Sequence, residues 1–293
     1  MSLRATATYR PRVVNLFLMV RGKYFVIVEG QSDKDFLGPR MAGRAHVEQL
    51  DGRDEVEKAC DDLRRHGCSD FVALLDADFN EAVGINQRAP YVVYVSISDQ
   101  QTDSTIDLES TLIRTRALRQ VCGEVLGNGI QARGGPAAFT DDIRESLRVA
   151  AGEVGAFRAA VMRIFTEQRK IQGVGELSDS DWEAIVDLDT GRVDHAGLER
   201  VMMGKVRNVE KYRDVRARAR DFRMDYGGGW LLCRGHDMTQ LLSLRLSRLR
   251  GRHISQKDVE SMLLNRFNGD VFKETAFGER LSRFCSGMPT IRY

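Results

Sequence analysis

The chain has 293 residues, of which 42% are hydrophobic and 29% are charged, and its formal net charge is +2. This composition is typical of a folded globular protein with a sizeable core, and it excludes an intrinsically disordered chain. The longest apolar stretches, Val13–Val20 and Tyr24–Val28, are too short to cross a bilayer, and no secretion signal is expected. The sequence therefore predicts a cytoplasmic protein.

Five cysteines are scattered along the chain without any Cys-x-x-Cys pair, at Cys60, Cys68, Cys122, Cys233 and Cys285. This spacing argues against a zinc ribbon and against a thioredoxin-like redox site. We predict reduced thiols that serve as small buried hydrophobic side chains.

The first predicted element is a buried strand that ends in a glutamate. Tyr24–Val28 is an unbroken run of β-branched and aromatic residues, the pattern of a parallel strand covered on both faces. Glu29 and Gly30 end this run, and a helix is predicted from Ser32 with Asp33 in its first turn. Asp33 is interpreted either as a first-turn residue that favours the helix dipole or as part of a polar site.

Further strands and helices follow in alternation. They are, in chain order, a helix at 54–66, a strand at 71–75, a strand at 91–95 and a helix at 112–125. The strand at 71–75 runs directly into Asp76 and Asp78. This alternation predicts an α/β fold with helices packed on a mostly parallel sheet.

The second half of the chain is predicted to be mainly helical. The glycine-rich segment Gly127–Gly135 indicates a loop or linker. Beyond it, apolar spacing predicts helices at 141–170, 178–189, 198–222 and 238–249, with one short strand at 230–233. We expect an N-terminal extension at 1–22, an α/β domain at 23–126 and a mainly helical domain at 136–293.

Acidic side chains follow three segments of the predicted α/β domain. They are Glu29, the pair Asp76 and Asp78, and the pair Asp107 and Glu109. A single acid after a strand is usually a solvated loop residue or a helix cap. Three acidic segments in order instead predict a Mg²⁺ or Mn²⁺ site, because functional residues gather at the carboxyl ends of strands and these ions prefer oxygen ligands.

The same residues resemble the Toprim domain over residues 23–112. The matching segments are EGQSDKDFL at 29–37, after an apolar strand, and FVALLDADF at 71–79. Within the Toprim proteins the chain is most similar to the overcoming-lysogenization-defect (OLD) nuclease branch and its stand-alone relatives. These relatives include the nuclease subunit of the PARIS anti-phage system, which is paired with an ABC-type ATPase.

The resemblance implies a Rossmann-like Toprim fold with a defined set of site residues. Glu29 matches the catalytic glutamate, and Asp76 and Asp78 match the metal-binding aspartates. Asp33 matches a supporting metal ligand. Asp107 and Glu109 resemble an Asp-Leu-Glu segment of the stand-alone relatives, and they depart from the third motif of topoisomerases and primases. The chain also lacks a zinc ribbon and a tyrosine nucleophile near the acids, which disfavours those two classes.

Two interpretations remain open for the segment Arg234–Asp237. In the first, it is a strand-to-helix turn in which Asp237 caps the following helix. In the second, His236 faces the acidic site as a proton donor or phosphate ligand. The stand-alone Toprim relatives contain a similar Gly-His/Lys-Asp segment, which supports the second.

Positive charge is concentrated in the helical half. Residues 200–252 include 14 Lys or Arg against 5 Asp or Glu, a net charge of +9. The densest run is Lys205, Arg207, Lys211, Arg213, Arg216, Arg218, Arg220 and Arg223. Such runs are usually solvated helix faces, and a phosphate-binding surface is the second interpretation. Gly227–Gly229 lacks the lysine and hydroxyl residue of a P-loop.

We therefore expect a Mg²⁺- or Mn²⁺-dependent nuclease that cleaves RNA, including tRNA, or DNA. The resemblance further implies an effector of bacterial anti-phage defence that an ABC-type ATPase partner holds in check, and a homodimer is one assembly considered. The alternative is a catalytically silent Toprim module that binds a phage component and regulates a partner.

Overall fold

The computed structural model of the protein describes residues 11–20, 22–41, 43, 45–76, 79, 92–94, 107–127, 129–130, 134–168, 174–206, 209–227 and 229–267. Within these ranges the chain is an α/β protein, which confirms the predicted class, with four strands and eleven helices. None of the helices in these ranges is both long enough and apolar enough to cross a membrane.

A small sheet is built around β1 (Tyr24–Val28), with the strand order β2-β1-β3-β4. Strands β2 (Ala45–Gln49) and β3 (Phe71–Leu75) both pair with β1 in parallel, and β4 (Val92–Tyr94) lies beside β3. Every residue of β1 and β3 is buried, which is why both strands appear in the sequence as continuous apolar runs. The predicted strands at 24–28 and 71–75 are confirmed, and β4 occupies three residues of the predicted strand at 91–95.

Strand β2 was not predicted from the sequence. It pairs only with β1 and so lies at the edge of the sheet, and Val47 is its one buried residue. The polar residues around Val47 do not resemble a buried strand. Pairing with β1 therefore fixes this segment more than its own composition does.

Three helices belong to this part of the chain: α1 (Arg12–Met19), α2 (Gln31–Met41) and α3 (Arg53–Arg65). Helix α3 was predicted, and it buries one apolar face made of Val56, Ala59, Cys60 and Leu63. It ends at Arg65, and Gly67, just beyond the C-cap His66, has a φ of 73° that is readily accessible only to a residue without a Cβ. Helix α2 begins directly after Glu29 and Gly30, close to the predicted start at Ser32.

The rest of the described chain is helical apart from turns and an isolated β-bridge. Its elements are α4 (Leu108–Arg114), α5 (Arg116–Leu126), α6 (Gly135–Gln168), α7 (Asp179–Ile185), α8 (His195–Lys205), α9 (Val209–Tyr226), α10 (Gly235–Arg250) and α11 (Gln256–Arg266). Helix α7 begins with a reciprocal capping box between Ser178 and Asp181, as the predicted helix start requires.

Three predictions in this half are wrong. The predicted helix at 112–125 is two helices, because Thr115 adopts an extended conformation and its hydroxyl accepts a hydrogen bond from Ala117 N to start α5. The predicted helix at 198–222 is also two, since α8 ends at Lys205 and α9 starts at Val209. The predicted strand at 230–233 is a turn, in which Cys233 N donates to the Trp230 carbonyl.

The described elements form two compact units. The first contains α1 to α3 and the strands β1 to β3, and the second contains α4 to α11. In the second unit the long helix α6 packs against α9 and α10, and buries Val154, Phe157 and Ile164 among other apolar residues. The predicted domain limits at 1–22, 23–126 and 136–293 stay a prediction.

Cysteine burial agrees with the prediction at three positions. Cys60, Cys122 and Cys233 are buried, and burial raises the pKa of each thiol to about 12. Cys68 is only half-buried, so for this residue the prediction of a buried side chain is wrong. These four thiols are free, and Cys285 lies outside the described residues.

Candidate functional site

Glu29 directly follows the central strand of the sheet. It is half-buried, and β2 and β3 lie parallel to β1 on either side. In a sheet of this order the chain crosses over in opposite directions from β1, so the carboxyl ends of β1 and β3 flank the topological switch point. Crevices at such points are the usual ligand sites of open α/β sheets.

Asp76 follows β3 at this same edge of the sheet. Because Val28 and Leu74 are partners in the parallel register, β1 and β3 end almost level with each other. Asp76 is half-buried, like Glu29. Asp78 lies outside the described residues. Two neighbouring strands are thus each followed at their carboxyl end by an acid, Glu29 after β1 and Asp76 after β3.

Asp33 lies in the first turn of α2 and bonds back to the turn that follows β1. Its Oδ2 accepts a hydrogen bond from Gly30 N at 3.1 Å. This contact satisfies a backbone donor at the start of the helix, so Asp33 has the structural role of a first-turn residue. It also fixes the short connection from Glu29 into α2.

Gly52 and Arg53, at the start of α3, were not singled out in the sequence. Gly52 N donates to the Glu29 carbonyl at 3.4 Å, and Leu50 N donates to the Val28 carbonyl at 2.9 Å. Gly52 has a φ of 90°, which is strained for residues with a side chain. Arg53 is the first residue of α3, so its backbone is placed next to that of Glu29. In the sequence, the one feature that could have pointed to these two residues is a Gly-Arg pair shortly after the edge strand β2.

Asp107 has a different environment, in the second unit, where one carboxylate caps two helices. Its Oδ1 accepts from Ser110 N at 2.8 Å at the start of α4, and its Oδ2 accepts from Gly235 N at 2.6 Å at the start of α10. The side chain is buried. Both oxygens are therefore used by backbone donors that no helix hydrogen bond satisfies.

Gly235 brings the two sequence segments at 107–110 and 234–237 into direct contact. A Cβ on Gly235 would overlap Asp107 Oδ1 and would also collide with Glu109 Cβ and Ser110 N. Only glycine allows this approach, so the contact depends on residue 235 having no side chain. The structure therefore places Asp107 and Glu109 beside the N-terminus of α10, whose second residue is His236.

Asp237 does not cap α10, so this part of the first interpretation of the segment is wrong. The N-cap is Arg234, and Asp237 is the third residue of the helix. Its carboxylate receives two hydrogen bonds of 3.0 Å from Arg158 Nε and Nη2. Arg158 also donates to the Val174 carbonyl, and the two charged side chains are 8% and 1% exposed.

This pair is a buried salt bridge that joins α6 to α10. Burial lowers the pKa of Arg158, and the charge of Asp237 acts in the opposite direction. A charge buried this deeply costs several kcal/mol if its partner is removed. We therefore assign Arg158 and Asp237 a structural role at the start of α10.

His236 is partly exposed, beside the buried pair, and carboxylates lie on two sides of its ring. Nε2 is 3.4 Å from Glu176 and Nδ1 is 3.7 Å from Glu260. The Gln256 amide nitrogen lies 2.9 Å from Nδ1 and also donates to the His236 carbonyl. These contacts hold the ring in one orientation. Its predicted catalytic role stays a prediction.

The basic run does not form one uniform surface. Lys205 forms an ion pair with Asp181 at 2.9 Å, and Arg223 forms one with Glu153 at 3.1 Å. Arg207 lies outside the described residues. Arg213 and Arg220, in contrast, are exposed on α9.

Among the described residues, no group of three His, Cys, Asp or Glu side chains is arranged to hold a metal ion. Models of known protein families give no match to this chain. A search of curated proteins likewise finds no relative.

The double cap at Asp107 predicts an unusually large loss of stability on truncation. Asp107→Ala leaves two buried backbone N–H groups without acceptors, so we expect an unfolding free energy lower by about 2–4 kcal/mol. Asp194→Ala is the matched control, because Asp194 caps only α8, from an exposed position. Its loss should be about 1 kcal/mol. Denaturant unfolding measures both, and equal losses would contradict the double cap.

The buried pair predicts strong coupling between Arg158 and Asp237. Arg158→Met leaves an uncompensated buried carboxylate and should lower the unfolding free energy by about 3–5 kcal/mol. Asp237→Leu alone should cost a similar amount. The double variant should recover much of this loss, since neither charge is then buried. A double-mutant cycle in denaturant measures the coupling, and simple additivity of the two losses would rule out the pair as drawn.

Proposed function

We propose that the protein is a metal-dependent nuclease of the Toprim type. The observation that carries this proposal is the position of Glu29 and Asp76, each directly after one of two parallel strands that flank the switch point of the sheet. Acids placed there are well suited to hold a hard cation against a phosphodiester. The resemblance of residues 23–112 to Toprim domains supports the same assignment.

The donor set fits Mg²⁺ or Mn²⁺. Glu29, Asp76 and Asp78 would supply carboxylate oxygens, and the half-buried setting of Glu29 and Asp76 suits an ion that keeps several waters. When bound, such an ion lowers the pKa of a coordinated water and neutralises charge on the phosphate. Asp33 would support the site indirectly, since its bond to Gly30 N fixes the turn after Glu29.

The residues of this chain would divide the remaining work. Glu29 would accept a proton from the attacking water or share in holding the ion. Arg53 begins a helix whose N-terminus lies at the backbone of Glu29, so its guanidinium is the cation we assign to the substrate phosphate. Asp107, which caps two helices, is left out of this metal set.

The biological setting follows from the resemblance alone. We propose an effector of bacterial anti-phage defence that cleaves RNA, such as tRNA, or DNA, with an ABC-type ATPase partner that restrains it. The alternative is a silent Toprim module that only binds a phage component. It predicts that the wild-type protein cleaves none of the labelled RNA, tRNA or DNA substrates.

The first experiment measures nuclease activity on labelled RNA, tRNA and DNA with Mg²⁺ or Mn²⁺. Glu29→Gln and Asp76→Asn should each reduce cleavage at least about 100-fold, because even supporting residues of metal sites cost 10–100-fold. Glu57→Gln is the control, since Glu57 is exposed in the middle of α3. Wild-type cleavage by Glu29→Gln, or an absence of cleavage with every substrate and metal, contradicts the proposal.

Arg53 provides a second test. Arg53→Met should raise KM for nucleic acid and lower kcat/KM by about 10-fold or more, because one charge-assisted bond to phosphate is worth about 1.5–3 kcal/mol. Arg65→Met, on the exposed C-terminal end of the same helix, should leave both values within about twofold of wild type. Steady-state kinetics on one labelled substrate checks this. An unchanged kcat/KM in Arg53→Met would remove Arg53 from the site.

A further inference from the structure

Helix α9 separates its charges into two stripes on its exposed side. With 3.6 residues per turn, Arg213, Arg216 and Arg220 share one stripe, and Met224 continues it with 77% of its surface exposed. Asp214, Asp221 and Asp225 share the neighbouring stripe, beside Arg218. We call Arg213, Arg216 and Arg220 the arginine stripe. A face that served only for solubility would be expected to mix the two signs.

The opposite side of α9 is buried in the protein. Val215, Ala219 and Phe222 lie in the core, and α9 packs along α6. The two ends of this packed side are held by Tyr212, which donates to the Glu199 carbonyl, and by Arg223, which pairs with Glu153. The arginine stripe is therefore presented on a helix whose rotation is fixed by its own core contacts.

Within the described part of the chain, two of the three stripe arginines have no partner. Among the described residues, neither Arg213 nor Arg220 forms a hydrogen bond or an ion pair. Arg216 pairs with Glu199 at 2.7 Å, and both side chains of that pair are exposed, at 58% and 41%. An exposed pair of this kind is worth less than about 1 kcal/mol, so Arg216 can exchange Glu199 for a stronger anion.

The spacing of the stripe suits a chain of phosphates. Arg213 and Arg220 are separated by seven residues, which is about 10.5 Å along the helix axis at about 1.5 Å per residue. Arg216 lies between them. Nucleic acids present one phosphate about every 3.4 Å along each strand, so long flexible arginines at this interval can each reach a different phosphate. The stripe has no aromatic residue for base stacking, so contact with the backbone is what it offers.

We infer that the arginine stripe of α9 binds the phosphate backbone of a nucleic acid, without regard to base sequence. The choice of a nucleic acid over an acidic protein rests on the proposed nuclease function, for which the stripe would hold the substrate. The binding itself needs no metal ion and no catalytic residue. It can therefore be measured separately from cleavage.

The experiment measures affinity for a labelled RNA and a labelled DNA duplex in EDTA, over a series of salt concentrations. In the double variant Arg213→Ala/Arg220→Ala, we expect affinity at low salt to fall about 10-fold or more. The slope of log K against log salt should become shallower by about 1.4–1.8, since each of the two lost phosphate contacts removes about 0.7–0.9. Unchanged affinity and slope would overturn the inference.

Arg218→Ala is the control, because it removes one arginine charge from the acidic stripe of the same helix, whereas the double variant removes two charges. It should change the slope by much less than half of the change in the double variant, and a change of half or more would mean that net charge alone decides binding. Both outcomes presuppose a folded chain, which circular dichroism and the thermal midpoint verify.

Hydrolysis of the small substrate bis(4-nitrophenyl) phosphate separates this inference from the proposed function. That ester contains a single phosphate, so its hydrolysis at a metal site does not need the arginine stripe. Loss of nucleic-acid binding in the double variant with unchanged hydrolysis of the ester supports the stripe. Absence of hydrolysis in the wild-type protein counts against the proposed function. The inference about the arginine stripe is then decided by the binding measurements alone.

Discussion

Parallel pairing on both sides of β1 is the constraint on which the candidate site at the carboxyl ends of the strands depends. Parallel neighbours cannot be joined by tight turns, so the chain must cross over between them, and α2 and α3 occupy these two crossovers. All three strands then end at the same edge. Because of this connectivity, Glu29 and Asp76 each follow one of two neighbouring parallel strands, although 46 intervening residues separate them in the sequence.

The helical unit depends on polar contacts at one helix terminus. The start of α10 is held by the carboxylate of Asp107 from one side and by Arg158, through Asp237, from another. These contacts come from α4 and α6, which are distant in sequence. Buried polar groups add little net stability when paired, but they exclude arrangements in which they would be unpaired. The segment at 234–237 therefore has one defined geometry, as the N-cap and first turn of α10.

The sequence predicted the parts of the fold that are governed by local pattern. Buried strands such as β1 and β3 have continuous apolar runs, and amphipathic α3 has a clear period, so both kinds of element were found. Strand β2 was missed because its pairing with β1, and not its own composition, makes it a strand. The break at Thr115 was missed because a single side-chain hydrogen bond decides it.

The candidate site likewise contains residues that the sequence predicted and residues that it did not. Glu29 and Asp76 were predicted because a strand that ends in an acid is visible in one segment of sequence. Arg53 and the Arg158–Asp237 pair were not predicted, since their roles arise from contacts between segments. The arrangement of charges around α9 was visible only in part. The sequence shows many arginines, but it does not show that Arg216 and Arg223 pair with Glu199 and Glu153, which belong to other helices.

The close approach of Gly235 to Asp107 has an evolutionary consequence. The two residues lie 128 positions apart, yet any side chain at position 235 would occupy the space of the carboxylate at position 107. A substitution at either position alone would remove the cap that α4 and α10 share. Natural variants of this protein should therefore inherit the glycine and the aspartate together, as one unit of selection.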